Sequence, residues 1–272
     1  MDPSLEEVKK YYDDHTINKL KGFVYTNERV ERAWLTIVDY GKNPVRILEI
    51  GCGIGDISWR MSRWWPDAEI VGLDISSRSI EMATKLFASS KLKFIEGTLD
   101  KGKLSGKFDL ILLIDVYEHI AISERATLHK TIKELITEEG KVILSFPTPR
   151  HLAWLRMHDM SNIQPIDEDI DVITISKFAQ EINKEVILYK ELSVWHAGDY
   201  AHAVLGSRIG WKPESDRIRG GRLPTLREQL KSKLKEKLKK KSTSPNFQIE
   251  ERLKLINEKL GESWLDQVKN NR

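Results

Sequence analysis

Three glycines alternate with other residues in the stretch LEIGCGIG, at Gly51, Gly53 and Gly55. An apolar run precedes them, and one acid, Glu49, stands two residues before the first glycine. Because glycine lacks a Cβ, such a loop can turn sharply and let the backbone approach a ligand closely. The start of a following helix favours polar or negatively charged ligand groups. The stretch is therefore predicted to hold a nucleotide-like ligand.

The positions around the glycines help to separate the possible ligands. The dinucleotide fingerprint G-x-G-x-x-G/A asks for a small residue where this chain has Asp56, whose carboxylate would repel a pyrophosphate. The same carboxylate is tolerable beside a ligand that carries a sulfonium and an ammonium group. Glu49 can act on that ammonium group, directly or through water. A Walker-type phosphate loop is excluded, because no Gly-Lys-Ser/Thr sequence follows.

A further acid ends the next apolar run. Asp74 lies 23 residues after Gly51, in the stretch GLDIS. An acid at the carboxyl end of a parallel strand can accept hydrogen bonds from both hydroxyls of a ribose. This role suits NAD and an adenosyl ligand equally, so Asp74 predicts a ribose without choosing between the two.

The elements that must position these residues follow from the hydrophobic pattern. Apolar runs alternate with helix-like stretches, which predicts crossover units and a parallel sheet. The runs lack polar alternation, so both faces of the sheet should be covered by helices. FDLILLIDV is the most apolar run and is predicted to be the central strand. EVILYKELSVW and DYAHAVLG, joined by a short loop, predict a closing antiparallel hairpin.

Five motifs occur in the order LEIGCGIG, GLDIS, IEGTL, FDLILLIDVYEHI and EEGKVILSFP. As a set they resemble class I S-adenosylmethionine-dependent methyltransferases over about residues 45–208. The resemblance implies an α/β, Rossmann-like fold: a seven-stranded, mostly parallel sheet with an antiparallel last strand. It implies S-adenosylmethionine as cofactor and S-adenosylhomocysteine as product. The cofactor contacts it implies are Glu49, Gly51, Gly53, Gly55, Asp74, Ile75, Thr98, Leu99 and Asp115.

One position departs from that family's pattern. Many relatives have Gly-Asp after the third strand, where the acid binds the adenine amine, whereas this chain has Gly97 and Thr98. Adenine should therefore be held more by backbone and apolar contacts, with Ile75 and Leu99 as the candidates.

The stretch DVYEHI follows the fourth predicted strand and leaves three interpretations open. His119 could be a general base for the acceptor. Asp115, Glu118 and His119 also resemble the cluster of metal-assisted methyltransferases, which His151 or His158 would complete. Alternatively, the Glu-His pair only anchors the next helix. We take His119 and His151 as the candidate catalytic residues and assign no metal ligand.

Changes in composition and hydrophobic pattern divide the 272 residues into segments. A stretch with three prolines and an acidic cluster follows the fifth strand and is predicted to shape the acceptor pocket, together with the N-terminal helices. The predicted segments are an N-terminal helical cap (1–44), a methyltransferase domain (45–211) with a substrate-side insertion (147–174), a linker (212–224) and a basic helical tail (225–272).

The charge distribution bears on partners and location. The net charge is +3, and residues 225–241 alone hold eight Lys or Arg against two Glu. Such a cationic helix could contact a membrane surface or another protein chain; without interleaved aromatic residues, nucleic acid is an unlikely ligand. A single cysteine and the lack of an apolar leader predict a cytoplasmic protein, which the tail could place at a membrane surface.

The expected activity is O-methylation of a small metabolite, a sugar or a lipid-linked glycan. No Asn-Pro-Pro-Tyr-type motif, which would indicate methylation of exocyclic amines in nucleic acids, is present. Two alternatives remain open: a divalent-metal-assisted RNA methyltransferase, and a scaffold that binds S-adenosylmethionine without turnover.

Overall fold

A computed structural model describes residues 4–100, 102, 104–207 and 245–270. Seven strands form one sheet in the order β3-β2-β1-β4-β5-β7-β6. The strands are β1 (Arg46–Ile50), β2 (Glu69–Asp74), β3 (Leu92–Glu96), β4 (Phe108–Ile114), β5 (Ile136–Pro147), β6 (Glu185–Leu192) and β7 (Tyr200–Gly206).

The sheet has the predicted topology. Strand β7 runs antiparallel to both of its neighbours, β5 and β6, and the pairings among β1 to β5 are parallel. FDLILLI forms β4, which lies in the middle of the sheet with three strands on each side. The prediction of a mostly parallel sheet with a closing antiparallel hairpin is therefore confirmed.

Helices cover both faces of this sheet. Leu110 and Leu112 of β4 belong to one buried cluster, and the alternating Ile111 and Leu113 belong to a second cluster on the opposite face. Side chains that alternate along a strand point to opposite faces, which explains why this strand has no polar positions in its centre. The helices are α1 (Leu5–Asp14), α2 (Thr16–Tyr25), α3 (Glu28–Gly41), α4 (Asp56–Trp64), α5 (Ser77–Phe87), α6 (Ile122–Leu135), α7 (Pro149–His158), α8 (Val172–Glu181), α9 (Pro245–Leu260) and α10 (Glu262–Lys269).

The segment predicted as an N-terminal helical cap contains three helices. Ser4 starts α1 with a capping box, in which its hydroxyl accepts from the Glu7 backbone and the Glu7 carboxylate accepts from the Ser4 backbone. The chain then turns at His15 and again at Thr26, whose φ of 66° cannot continue a helix. Leu20 and Phe23 of α2 are fully buried, so these helices pack onto the sheet domain.

The C-terminal helices pack onto the same core. Ile256 of α9 and Val268 of α10 are completely buried in the cluster that also contains residues of α2 and α5. The guanidinium of Arg252 donates a hydrogen bond to the backbone carbonyl of Phe23. This half of the predicted tail (225–272) is therefore part of the core; the linker (212–224) and residues 225–244 lie outside the described residues. Among the described helices, none has the length and hydropathy needed to cross a membrane.

Candidate functional site

A cavity of about 730 Å³ lies at the carboxyl ends of β1, β2 and β4. Its volume falls in the range of small-molecule sites. We call the residues that the sheet's carboxyl edge contributes, within 49–57, 73–75, 97–99 and 114–116, the cavity floor. We call the lining residues between positions 8 and 23, from α1, α2 and their junction, the cavity roof.

The glycine loop on the floor needs glycine for the protein's own packing. Gly51 has a φ of 71°, and a Cβ there would lie 2.2 Å from Cγ2 of Val116. Gly55 has a φ of 84°, and its Cβ would lie 2.7 Å from the ring of Phe94. Gly53, with a φ of 53°, lines the cavity between them. A side chain at either outer glycine would distort the loop.

Asp74 is held in place by two backbone groups. Its Oδ2 accepts a hydrogen bond of 2.7 Å from the amide of Gly53, and its Oδ1 accepts one of 2.8 Å from the amide of Ser76. An ionised carboxylate has about four acceptor positions, so both oxygens can still accept from ligand hydroxyls. The side chain lines the cavity, and the geometry fits the predicted ribose role.

Glu49 is buried below the loop and accepts a hydrogen bond from the hydroxyl of Ser58. Burial raises the pKa of Glu49 to about 8, although the hydrogen bond from Ser58 opposes the shift. The carboxyl is therefore largely protonated at neutral pH unless a cation approaches it. Because Glu49 lines the cavity, a ligand ammonium group would supply that cation.

Asp56, at the start of α4, is part of an internal ion-pair chain. Arg60 approaches Asp56 to 2.9 Å and Glu31 to 2.8 Å. Asp56 is therefore not an unpaired negative charge, because Arg60 balances much of it. Any preference for a cationic ligand therefore depends less on Asp56 than expected.

The remaining floor residues lie where the adenine is expected. Ile75, Thr98 and Leu99 all line the cavity. The amide of Gly97 donates a 2.9 Å hydrogen bond to the carbonyl of Asp74, which ties the end of β3 to the end of β2. This hydrogen bond places Ile75, Leu99 and Thr98 close to Asp74.

Asp115 lines the cavity but is already engaged by protein groups. It has a φ of 56°, accepts a 2.8 Å hydrogen bond from Ser145 and lies 2.7 Å from Nε of Arg29. Arg29 also donates to the hydroxyl of Tyr200 at 2.8 Å. The sequence does not indicate that Arg29 lines the site, because its partners are distant along the chain and it belongs to no local motif.

His119 lines the cavity and is strongly constrained. Its Nδ1 lies 2.7 Å from the carbonyl of Ile166 and 3.2 Å from Oδ1 of Asp167. Burial alone would lower the pKa of His119, but the charge of Glu118 and the bonds to Asp167 and Ile166 raise it to about 9. The raised pKa favours the protonated imidazole, a form that donates hydrogen bonds and cannot accept a proton.

His151 does not join His119 in the cavity. It lies at the start of α7, with its ring centroid 6.2 Å from those of His196 and Tyr200, and it is not among the cavity-lining residues. His158 is likewise absent from the lining. Within the described part of the chain, no three His, Cys, Asp or Glu side chains are grouped so that they could hold a metal ion.

The roof adds side chains to the cavity lining that no sequence motif indicates. Tyr11 and Tyr12 line the cavity, whereas Tyr25 packs against the core. His15 and Lys19 also line the cavity. Neither belongs to a motif, and only the packing of α2 onto the sheet brings them to the site. Trp154 and Trp195 are 41% and 53% exposed and lie outside the lining.

Comparison with known proteins agrees with this geometry. Residues 47–140 match a family model described as a methyltransferase domain. The structure resembles magnesium protoporphyrin IX methyltransferase from Synechocystis, solved with bound S-adenosylhomocysteine, with a TM-score of 0.53, 20% identity and coverage of 66% of this chain and 82% of that one. The family match and the shared fold confirm the resemblance to class I S-adenosylmethionine-dependent methyltransferases.

Two curated relatives are similar in sequence. A malonyl-[acyl-carrier protein] O-methyltransferase of Acetivibrio thermocellus is 27% identical over 117 residues, which is 43% of this chain and 40% of the relative. A mitochondrial ubiquinone biosynthesis O-methyltransferase of Schizosaccharomyces pombe is 29% identical over 105 residues, 37% of each chain. The chain thus spans less than half the length of these relatives.

Proposed function

We propose that this protein transfers the methyl group of S-adenosylmethionine to a hydroxyl of a small metabolite, a sugar or a lipid-linked glycan. The observation that carries the proposal is the floor of the cavity, where the glycine loop and Asp74 meet within a methyltransferase domain. The names of two relatives, both O-methyltransferases, support oxygen as the acceptor atom.

The residues present suit the cofactor. Asp74 has free acceptor positions for ribose hydroxyls, Ile75 and Leu99 offer apolar surface for adenine, and Glu49 offers a carboxylate to an ammonium group. When bound, the cofactor supplies an electrophilic methyl group. The protein's part is to align the acceptor with that methyl group and to exclude water.

The acceptor hydroxyl must lose its proton when it takes the methyl group. Two histidines of the cavity lining differ in their suitability for this step. His119 carries a positive charge and is suited to donate a hydrogen bond to the acceptor. The Nδ1 of His15 lies 2.7 Å from the carbonyl of Tyr11 and donates to it, so the lone pair of the neutral ring is on Nε2. In the proposed reaction His15 is therefore better suited than His119 to accept a proton.

Calorimetry with S-adenosylhomocysteine and with NADH tests the cofactor. We expect the wild-type protein to bind S-adenosylhomocysteine and not NADH. Asp74→Ala should weaken that binding about 10- to 100-fold, because hydrogen bonds to a charged group are lost. Asp74→Asn retains one acceptor oxygen, so its affinity for S-adenosylhomocysteine should lie between those of the wild-type protein and Asp74→Ala. Tight binding of NADH without binding of S-adenosylhomocysteine would overturn the proposal.

The acceptor class is tested by methyl transfer to fractionated cell extract. With S-adenosylmethionine carrying a labelled methyl group, we expect label in the small-molecule or glycolipid fraction. Label confined to RNA, and lost with EDTA, would instead establish the metal-assisted alternative. No label in any fraction, despite cofactor binding, would indicate a scaffold.

A further inference from the structure

We propose that Lys19 of α2 binds the carboxylate of the cofactor's methionyl group and so fixes the amino-acid end of the ligand. This inference rests on the proposed cofactor and assigns a role to a residue outside every motif in the chain.

The side chain of Lys19 crosses from the roof to the glycine loop. Its Cδ lies 3.3 Å, and its Nζ 3.6 Å, from the position that a Cβ on Gly53 would take. The ammonium group is therefore next to the backbone over which the ligand must lie. Gly53 is also the residue whose amide donates to Asp74, so Lys19 and the ribose-binding acid flank the same short segment.

The charges around the cavity leave Lys19 without an acidic partner. Arg29, another cation of the lining, is paired with Asp115 and Tyr200. Among the described residues, the contact found for the ammonium of Lys19 is with the ring of Tyr12, 5.0 Å from its centroid. No carboxylate of that part of the chain lies within ion-pair distance of it. The acids that line the cavity are Glu49, Asp56, Asp74, Asp115 and Glu124.

The charges of the ligand complement this arrangement. S-adenosylmethionine carries two positive groups, the sulfonium and the ammonium, and one carboxylate. Glu49 suits the ammonium group, and Lys19 supplies the partner for the carboxylate. A charge-assisted hydrogen bond to a carboxylate is stronger than a contact with an aromatic face at a partly exposed site, so ligand binding should draw the ammonium away from Tyr12.

A carboxylate on the acceptor could also bind Lys19. Cofactor analogues with and without the amino-acid part distinguish the cofactor's carboxylate from that of the acceptor. S-adenosylhomocysteine contains the carboxylate, whereas 5′-methylthioadenosine keeps the adenosine and the sulfur and lacks the amino-acid group. Calorimetry with both ligands therefore isolates the contribution of Lys19 to the methionyl end.

We expect Lys19→Met to weaken the binding of S-adenosylhomocysteine about 10- to 100-fold and to leave that of 5′-methylthioadenosine unchanged. Lys19→Arg keeps the charge and should retain most of the affinity. The matched control is Lys10→Met, an exposed lysine of α1 outside the cavity lining, which should change neither affinity.

Two results would overturn the inference. Unchanged binding of S-adenosylhomocysteine by Lys19→Met would assign the lysine to an acceptor carboxylate or to none. An equal loss for both ligands would show that the lysine supports the roof and does not recognise the carboxylate. If the wild-type protein bound neither ligand, the proposed cofactor itself would fail, which is a distinct outcome.

Discussion

The floor and the roof of the cavity are built in different ways. On the floor, the ligand-facing groups come from short, continuous stretches at strand ends, such as the glycine loop at 51–55 and Asp74. On the roof, they come from two amphipathic helices whose position depends on contacts distant in sequence. Asp13 accepts hydrogen bonds from the hydroxyl of Ser76 at 2.6 Å and from the amide of Arg78 at 3.2 Å.

The two parts of the cavity suit two different requirements of the proposed reaction, which are holding the cofactor and closing the site. In the proposed reaction, the floor would hold the cofactor through backbone geometry that tolerates few side chains. The roof closes the site through contacts between side chains. One example is the hydrogen bond between Tyr12 and Gln164, which are 152 positions apart. We expect substitutions on the floor to damage both fold and binding, and those on the roof to act more selectively.

The largest effect is expected for Gly51→Ala. The added methyl group would sit 2.2 Å from Val116 at a φ of 71°, so the loop must move or strain. We expect the free energy of unfolding to fall by about 2–4 kcal/mol and binding of S-adenosylhomocysteine to be lost. Urea denaturation and calorimetry measure the two effects.

Gly22→Ala is the matched control on the roof. Gly22 lies inside α2, and a Cβ there meets nothing within 4 Å. Alanine favours the helix, so stability should rise by about 0.5–1 kcal/mol. If both substitutions had the same effect, the distinction between a backbone-determined floor and an adaptable roof would be wrong.

The sequence predicted the floor well because its signals are local. An apolar strand followed by glycines, and an acid at a strand end, each occupy a few consecutive residues. Arg29, His15 and Lys19 could not be found in this way, because α3 and α2 reach the site only through packing. The same limit applies to His119: its position was predicted, but its contacts with Ile166 and Asp167 depend on where the insertion lies.

The floor should also give a pH-dependent effect, which is smaller per pH unit than the effect of Gly51→Ala. Burial raises the pKa of folded Glu49 from 4.5 to about 8. Between these values the folded protein retains a proton that the unfolded chain releases. The contribution of Glu49 to stability is therefore complete below pH 4.5 and is lost as the pH rises towards 8, by at most roughly 1.4 kcal/mol per pH unit.

Glu49→Gln is neutral at every pH and should lack this loss. We expect urea denaturation to show that the free energy of unfolding of the wild-type protein falls more steeply between pH 4.5 and 8 than that of the variant. Identical slopes for the two proteins would mean that Glu49 ionises normally, and that the floor does not hold a protonated acid in the ligand-free state.

The smallest effect is expected on the roof, for Tyr12→Phe. The substitution removes the 2.9 Å hydrogen bond to Gln164 but keeps the ring beneath Lys19. The loss of about 0.5–1.5 kcal/mol for one hydrogen bond should appear as faster hydrogen exchange of the α1 amides, with little change in affinity for S-adenosylhomocysteine. Tyr11→Phe is the control, because no hydrogen bond of the Tyr11 hydroxyl is found among the described residues. Equal acceleration in both variants would show that the bond to the insertion does not hold the roof closed.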